Sequence, residues 1–116
     1  FVESYPHALN ILRKNISKMD ALSSSEVIEN NCFELVKEYK KFSKKKFDII
    51  FLDPPYKDKN LHDLLLKIKK LNILKKDSVI ILHRHKKSQE IFPSNFKIIE
   101  KKQYGISKII FLTVLN

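Results

Sequence analysis

Phe47-Asp48-Ile49-Ile50-Phe51-Leu52-Asp53-Pro54-Pro55-Tyr56 is the stretch that decides the fold. Apart from Asp48, the residues before Asp53 are apolar. A nearly continuous apolar run of this length fits a strand buried on both faces of a parallel sheet. Two prolines then end it, because proline has no N–H to give to a central ladder. The strand therefore finishes on a carboxylate, Asp53. In open α/β sheets, ligands collect beyond the carboxyl ends of the strands, so Asp53 stands where a site is expected.

Upstream, Phe1-Val2-Glu3 reads as the tail of a strand ending on another carboxylate. Ser4 or Tyr5 is placed to cap a helix with Pro6 in its first turn. Leu9, Leu12, Ile16 and Met19 then share one helical face. Val27-Ile28 is a short strand leading to Asn30-Asn31. Cys32, Val36, Tyr39 and Phe42, with Phe33 and Leu35, predict a second helix. It ends in Lys44-Lys45-Lys46, where lysines suit the helix dipole. Downstream, Asp58 or Asn60 is placed to cap a third helix, with Leu61, Leu64, Leu65, Ile68 and Leu71 facing inward. Val79-Ile80-Ile81-Leu82 reads as a buried strand. Phe96 to Lys102 and Ile109 to Leu115 read as two more, turned at Gly105 into an antiparallel hairpin. This alternation predicts an α/β fold over residues 1–116, with a mostly parallel sheet and a C-terminal antiparallel hairpin. Glu3, Asn31, Asp53 and His83 all fall at carboxyl ends of strands.

Composition narrows the function classes. The 116 residues fit one domain, and 43% are apolar, too many for a disordered chain. No apolar run is long enough to span a bilayer, and no signal peptide is expected, because the chain opens at Phe1 without a basic n-region or a small-residue cleavage site. Cys32 is the lone cysteine, so there is no disulfide framework and no cysteine-built zinc site. A reducing, cytoplasmic setting is expected. The net charge is +10, from 23 Lys+Arg against 13 Asp+Glu. An excess of this sign favours nucleic acid as partner. A second reading is also open: Arg13 and Arg84 are the only arginines, and abundant Lys, Asn and Ile accompany an A/T-rich coding sequence.

The strand-end residues suit one chemistry. An exocyclic amine on a purine is a poor nucleophile, because its lone pair is delocalised into the ring. A site that accepts hydrogen bonds from the amine and holds it near a methyl donor would raise its reactivity. Asp53 offers a carboxylate acceptor, and Pro54 a carbonyl with no competing N–H. Pro54-Pro55 stiffens the turn by fixing φ twice. Tyr56 offers a flat face for base stacking, worth about 1–3 kcal/mol in nucleic-acid sites. A base in a duplex would have to be flipped out, or be met unpaired.

The ten residues from Phe47 to Tyr56 resemble the [DN]PP[YF] motif of amino-methyltransferases. The longer pattern is similar to the RsmD family, which methylates guanine N2 in 16S ribosomal RNA. The resemblance covers essentially the whole chain and implies a Rossmann-like methyltransferase fold with S-adenosylmethionine as donor. It implies that Asp53, Pro54, Pro55 and Tyr56 are catalytic. Glu3 would hold the ribose hydroxyls of the donor, Asn31 with its neighbour Cys32 would meet the adenine, and Asp53 would border the donor too. Tyr104-Gly105-Ile106-Ser107 resembles the family's glycine turn between its last two strands. The implied partner is ribosomal RNA or a small-subunit particle, met by a monomer without metal or membrane. Lys57, Arg84, Lys86 and Lys87 would contact RNA.

The chain departs from the family pattern in two places. The glycine-rich loop that follows the family's first strand has no counterpart here, since Gly105 is the lone glycine and lies near the other end. The expected reading is truncation upstream of Phe1, which would remove the family's first strand as well as this loop and leave the site incomplete. Relatives often carry an acidic residue where His83 stands, so no role transfers to His83 or to His85.

Each feature has a plainer reading. Asp53-Pro54-Pro55-Tyr56 would serve as an ordinary strand stop, Glu3 as a solvated strand end, Asn31 as a helix cap and Cys32 as a small buried residue. His83-Arg84-His85-Lys86-Lys87 places two histidines on one side of an extended segment, but no third ligand is evident for a metal. A basic rim or a solvated loop both fit that segment. Two functional alternatives stand beside RNA guanine methylation. One is DNA adenine-N6 methylation, which uses the same motif. The other is a nucleic-acid-binding module that keeps the fold without catalysis.

Overall fold

Where the apolar period changes from 2 to 3.6, the chain changes from strand to helix. The computed structural model describes residues 1–34, 44–55 and 60–115. It divides into two units, Phe1–Glu38 and Tyr39–Asn116.

In the first unit, β1 (Val2–Glu3) pairs in parallel with β2 (Ile28–Glu29), joined through helix α1 (Pro6–Lys18). Pro6 opens α1 because its missing N–H is one the first turn cannot satisfy anyway. Tyr5 is the N-cap and makes no side-chain cap bond. Instead Glu3 Oε1 accepts from the backbone N–H groups of Ser4 at 3.2 Å and Tyr5 at 3.0 Å. Leu9 and Ile16 are buried as their spacing predicts, together with Ile28. Met19 departs from the expected inward face: it is the C-cap residue and 78% exposed. Cys32, Phe33 and Glu34 form one tight helical turn. Residues 35–43 of the expected second helix lie outside the described residues, and Lys44, Lys45 and Lys46, expected to end it, are not helical.

The second unit carries β3 (Phe47–Leu52), α2 (Leu61–Lys70), β4 (Leu74–His85), β5 (Phe96–Tyr104) and β6 (Ser107–Val114). Its strands form one sheet in the order β3-β4-β6-β5. β3 and β4 are parallel, whereas β4-β6 and β5-β6 are antiparallel. The hairpin is as expected, but among the described residues the sheet is mixed rather than mostly parallel. Its cause is the tight turn at Gly105, which sends β6 back between β5 and β4.

All five inward positions expected of the third helix are buried: Leu61, Leu64, Leu65, Ile68 and Leu71. On the sheet, Ile80 and Leu82 of β4 lie opposite Leu112 and Ile110 of β6, and all four are fully buried. β3 differs from expectation. It is an edge strand of this sheet, and Ile49 and Phe51, which alternate onto one face, are 61% and 60% exposed.

β4 is longer than Val79–Leu82 in both directions. The pairing moves from Phe47↔Leu74 to Ile49↔Val79, five positions along β4 against two along β3. The extra residues include Asp77 at φ 62°, a left-handed conformation that Asp tolerates. Lys75 in this bulge pairs with Asp48 at 2.8 Å. At the other end β4 runs on through His83, Arg84 and His85, residues expected to lie past the strand. Among the described residues no helix is long and apolar enough to cross a membrane.

Candidate active site

β3 and β4 run in parallel with Leu52 opposite Leu82, so Asp53, just past β3, stands beside His83 of β4. His83 Nδ1 lies 3.0 Å from Asp53 Oδ1, and His83 Nε2 lies 2.9 Å from Ser107 Oγ. An ionised carboxylate only accepts, which puts the ring proton on Nδ1. In the tautomer protonated at Nδ1 alone, Nε2 accepts from the Ser107 hydroxyl. His83 thus ties the end of β3 to the start of β6, and leaves Asp53 Oδ2 for another donor.

The turn after Asp53 is held from the opposite face of the sheet. Along β4, Ile80, Leu82 and Arg84 share one parity, and Arg84 continues the buried face at 4% exposure. Its Nη1 donates to Pro54 O at 3.1 Å and, more weakly, to Pro55 O at 3.4 Å. Its Nε donates to Glu90 Oε1 at 3.2 Å. Glu90 is itself buried and its Oε2 meets Lys108 Nζ at 2.8 Å. Ser88 Oγ also donates to Glu90 Oε1, and Lys108 Nζ to Ser88 O. Burial works to raise the Glu90 carboxyl, but hydrogen bonds from Lys108, Ser88 and Arg84 and the Lys108 charge outweigh it, leaving a net lowering.

Arg84 therefore differs from expectation. Its guanidinium is taken up by protein acceptors in a buried position, and it is not a surface cation aimed at RNA. Lys86 and Lys87 do reach solvent, just past β4. The Lys86 N–H donates to Ile106 O at 2.8 Å, which places the hairpin turn beside them. Tyr104 and Ile106 flank Gly105 in that turn and are 63% and 65% exposed. Tyr56 and Lys57 lie outside the described residues.

The expected donor-binding residues occupy the first unit. Glu3 and Glu29 are paired at the carboxyl ends of β1 and β2, and Asn31 follows two residues on. Asn31 Oδ1 accepts from Phe33 N–H at 2.9 Å, so it caps the tight turn that contains Cys32. Among the described residues, Glu3 Oε2 and Asn31 Nδ2 take no hydrogen bond. The Glu3 carboxylate can accept from ribose hydroxyls, and the Asn31 amide, two residues past β2, can donate to a purine edge. The residues present fit the nucleoside half of the expected donor. Asn10, Arg13 and Glu29 line a shallow cleft on the same unit, where Arg13 pairs with Glu29 at 2.7 Å.

Four residues escaped the sequence reading: His83 as a partner of Asp53, Ser107 behind it, and Glu90 and Lys108 around Arg84. Strand parity carried a signal for two of the charges. Arg84 is in register with Ile80 and Leu82, and Lys108 with Ile110 and Leu112. Nothing local marks Glu90, which is brought in by the loop after β4.

Comparison with known proteins identifies a family. The family described as Conserved hypothetical protein 95 matches residues 1–113. Ribosomal RNA small subunit methyltransferase D of Buchnera aphidicola is 36% identical over 97 residues, which are 78% of this chain and 46% of that protein. The protein of the same name from Haemophilus influenzae is 27% identical over 107 residues, 91% of this chain and 54% of that one. The chain thus spans about half the length of these curated relatives. A solved Haemophilus influenzae structure, described as that of a proposed methylase, superimposes with a TM-score of 0.80 at 25% identity. It covers 100% of this chain and 71% of the other. The chain belongs to the Conserved hypothetical protein 95 family, the RsmD-like methyltransferases that Asp53-Pro54-Pro55-Tyr56 pointed to.

Proposed function

We propose that the full-length protein transfers a methyl group from S-adenosylmethionine to the exocyclic N2 amine of a guanine in 16S ribosomal RNA. The observation that carries this reading is Asp53: a carboxylate at a strand's carboxyl end, fixed by His83 and followed by a two-proline turn braced by Arg84. The names of the family's relatives support ribosomal RNA as the substrate class.

In this reading Asp53 Oδ2 accepts one hydrogen of the amine and the Pro54 carbonyl accepts the other. A carbonyl has two lone pairs, and Arg84 occupies one of them. Together these acceptors turn the nitrogen lone pair toward the donor and hold a near-attack arrangement. Tyr56 stacks on the extruded base. Glu3 binds the ribose of the donor, and Asn31 and Cys32 border its adenine. The donor, when bound, supplies an electrophilic sulfonium methyl. Lys57, Lys86 and Lys87 draw the RNA backbone toward the site.

The test is methyl transfer by the full-length protein from labelled donor to unmodified 16S RNA, with the product base identified. N2-methylguanine is expected, and Asp53→Ala should abolish turnover while the protein stays folded. Label appearing in adenine of duplex DNA would instead establish the DNA reading. Undiminished transfer by Asp53→Ala would overturn the assigned mechanism.

A further inference from the structure

The cluster of buried Arg84 and Glu90 side chains with half-buried Lys108 has no counterpart in the expected chemistry. A buried ionic group costs solvation free energy and does not, by its presence, explain a fold's stability. The question is what its geometry accomplishes.

Arg84 and Lys108 face each other across the β4–β6 pair on the buried side of the sheet. Glu90 lies between these two cations and bonds to both. Nη1 on the far side of the guanidinium donates to two consecutive backbone carbonyls, Pro54 O and Pro55 O.

Those carbonyls belong to a turn with little freedom left. Proline fixes φ at 54 and at 55. The residue before a proline is confined to extended backbone, which restricts both Asp53 and Pro54. The principal soft dihedral still governing the exit of the turn is ψ of Pro55. A donor held by both the Pro54 and the Pro55 carbonyl fixes their relative direction, and so fixes that dihedral. Only arginine has the means. Its planar fork carries five N–H donors, enough to bind a carboxylate on one edge and carbonyls on another. Lysine in its place would be a point donor with no fixed plane.

We infer that Arg84, oriented by Glu90 and Lys108, is a positioning residue that sets the Asp53-Pro54-Pro55 turn for catalysis. It acts through the two proline carbonyls and does not touch RNA. This rests on the methyl-transfer reading and deepens it. It links the catalytic turn to the buried face of the sheet, while His83 holds Asp53 from the other face.

The experiment compares Arg84→Lys and Glu90→Gln with the unaltered full-length protein. Steady-state kcat and KM for RNA and donor are measured alongside melting temperature. Carbonyl carbon-13 shifts are recorded on proline-labelled protein. The expected result is a kcat lowered ten- to a hundredfold in both variants, with both KM values within threefold. The Pro54 and Pro55 carbonyl signals should move in both. If Arg84→Lys does not fold, Glu90→Gln carries the decision on the same readouts. A folded variant with kcat within twofold and unmoved proline signals would overturn the positioning role. So would a rise in KM for RNA at constant kcat, which would make Arg84 a phosphate contact. Should the unaltered protein leave 16S RNA unmethylated, the functional reading fails. The proline shifts then still report separately whether Arg84 holds the turn.

Discussion

His83 is the residue whose meaning changed most between sequence and structure. At the end of an apolar strand it offered only a titratable ring without an assignable role. In the fold its two nitrogens are both used, one on Asp53 and one on Ser107. A hydrogen bond to a charged group contributes roughly 1.5–3 kcal/mol. If that bond fixes Asp53 during methyl transfer, His83→Ala should lower kcat about tenfold or more, since about 1.4 kcal/mol is tenfold in rate. His83→Gln keeps a donor and an acceptor and should retain part of the rate. Steady-state assays of both variants check this, and a kcat within twofold for His83→Ala would remove His83 from the mechanism. Glu90 gives a second prediction at this scale, on stability. Its folded-state pKa is lowered, so its stabilising contribution is fully present above the unfolded carboxylate value, about 4.3. The contribution is lost as pH falls from there through the folded value. Glu90→Gln should therefore melt well below the unaltered protein at neutral pH. The difference should shrink as pH falls below about 4, where the unaltered protein also loses this carboxylate. Melting curves from pH 3 to 7, on the order of one per pH unit, test the trend.

Among the elements, the turn between β5 and β6 has the narrowest sequence requirement. Gly105 adopts φ +57° between Tyr104 and Ile106, and a Cβ there would meet nothing within 4 Å. The cost of a side chain is thus conformational and not steric crowding, about 1–2 kcal/mol for a non-glycine residue in this region. Gly105→Ala in the full-length protein should lower stability by about that amount in urea unfolding, with an unchanged m-value. A loss of several kcal/mol would point to a packing role the turn does not display. The same hairpin shows why some elements were legible and others were not. Its glycine and its two flanking β-branched runs are local signals, and they sufficed. The helix α2 was legible down to individual side chains, because Leu61, Leu64, Leu65, Ile68 and Leu71 fall on one face at helical spacing. β3 was legible as a strand but not in its burial. An apolar run tells what a strand can bury, whereas the exposure of Ile49 and Phe51 depends on which layers cover it. The Asp53–His83 bond needed the parallel register Leu52↔Leu82, which joins segments thirty residues apart and leaves no local trace. The burial of Arg84 was not legible because the apolar run of β4 stops at Leu82. Extending the alternation by one step places a charge on the buried face, and a buried arginine must find acceptors.

For the molecule as a whole, the open question from the sequence was whether +10 is a binding signal or a coding bias. The fold sharpens it by showing which cations are already paired, although pairing leaves the net surplus unchanged. Arg84 is buried with Glu90, Arg13 pairs with Glu29, and Lys75 pairs with Asp48. Lys86 and Lys87 are exposed at the end of β4, the same sheet end as Asp53. If the surplus positive charge recognises RNA, these two are where it should be felt. Each phosphate neutralised on a single strand releases condensed counterions, so log K falls with log salt with a slope of about −0.7 per contact. The double substitution Lys86→Ala, Lys87→Ala in the full-length protein should make that slope shallower by about 1.4. Affinity at low salt should fall while the melting temperature stays unchanged, because neither side chain is buried. Binding isotherms on 16S RNA across roughly 50–200 mM salt measure the slope directly. Arg84→Lys, run beside them, should leave the slope alone if Arg84 serves the turn and not the RNA. A steep slope untouched by the double substitution would move the RNA path away from the β4 end. A shallow slope in the unaltered protein would mean that the excess lysine reflects composition, and that recognition depends on the site's shape and stacking.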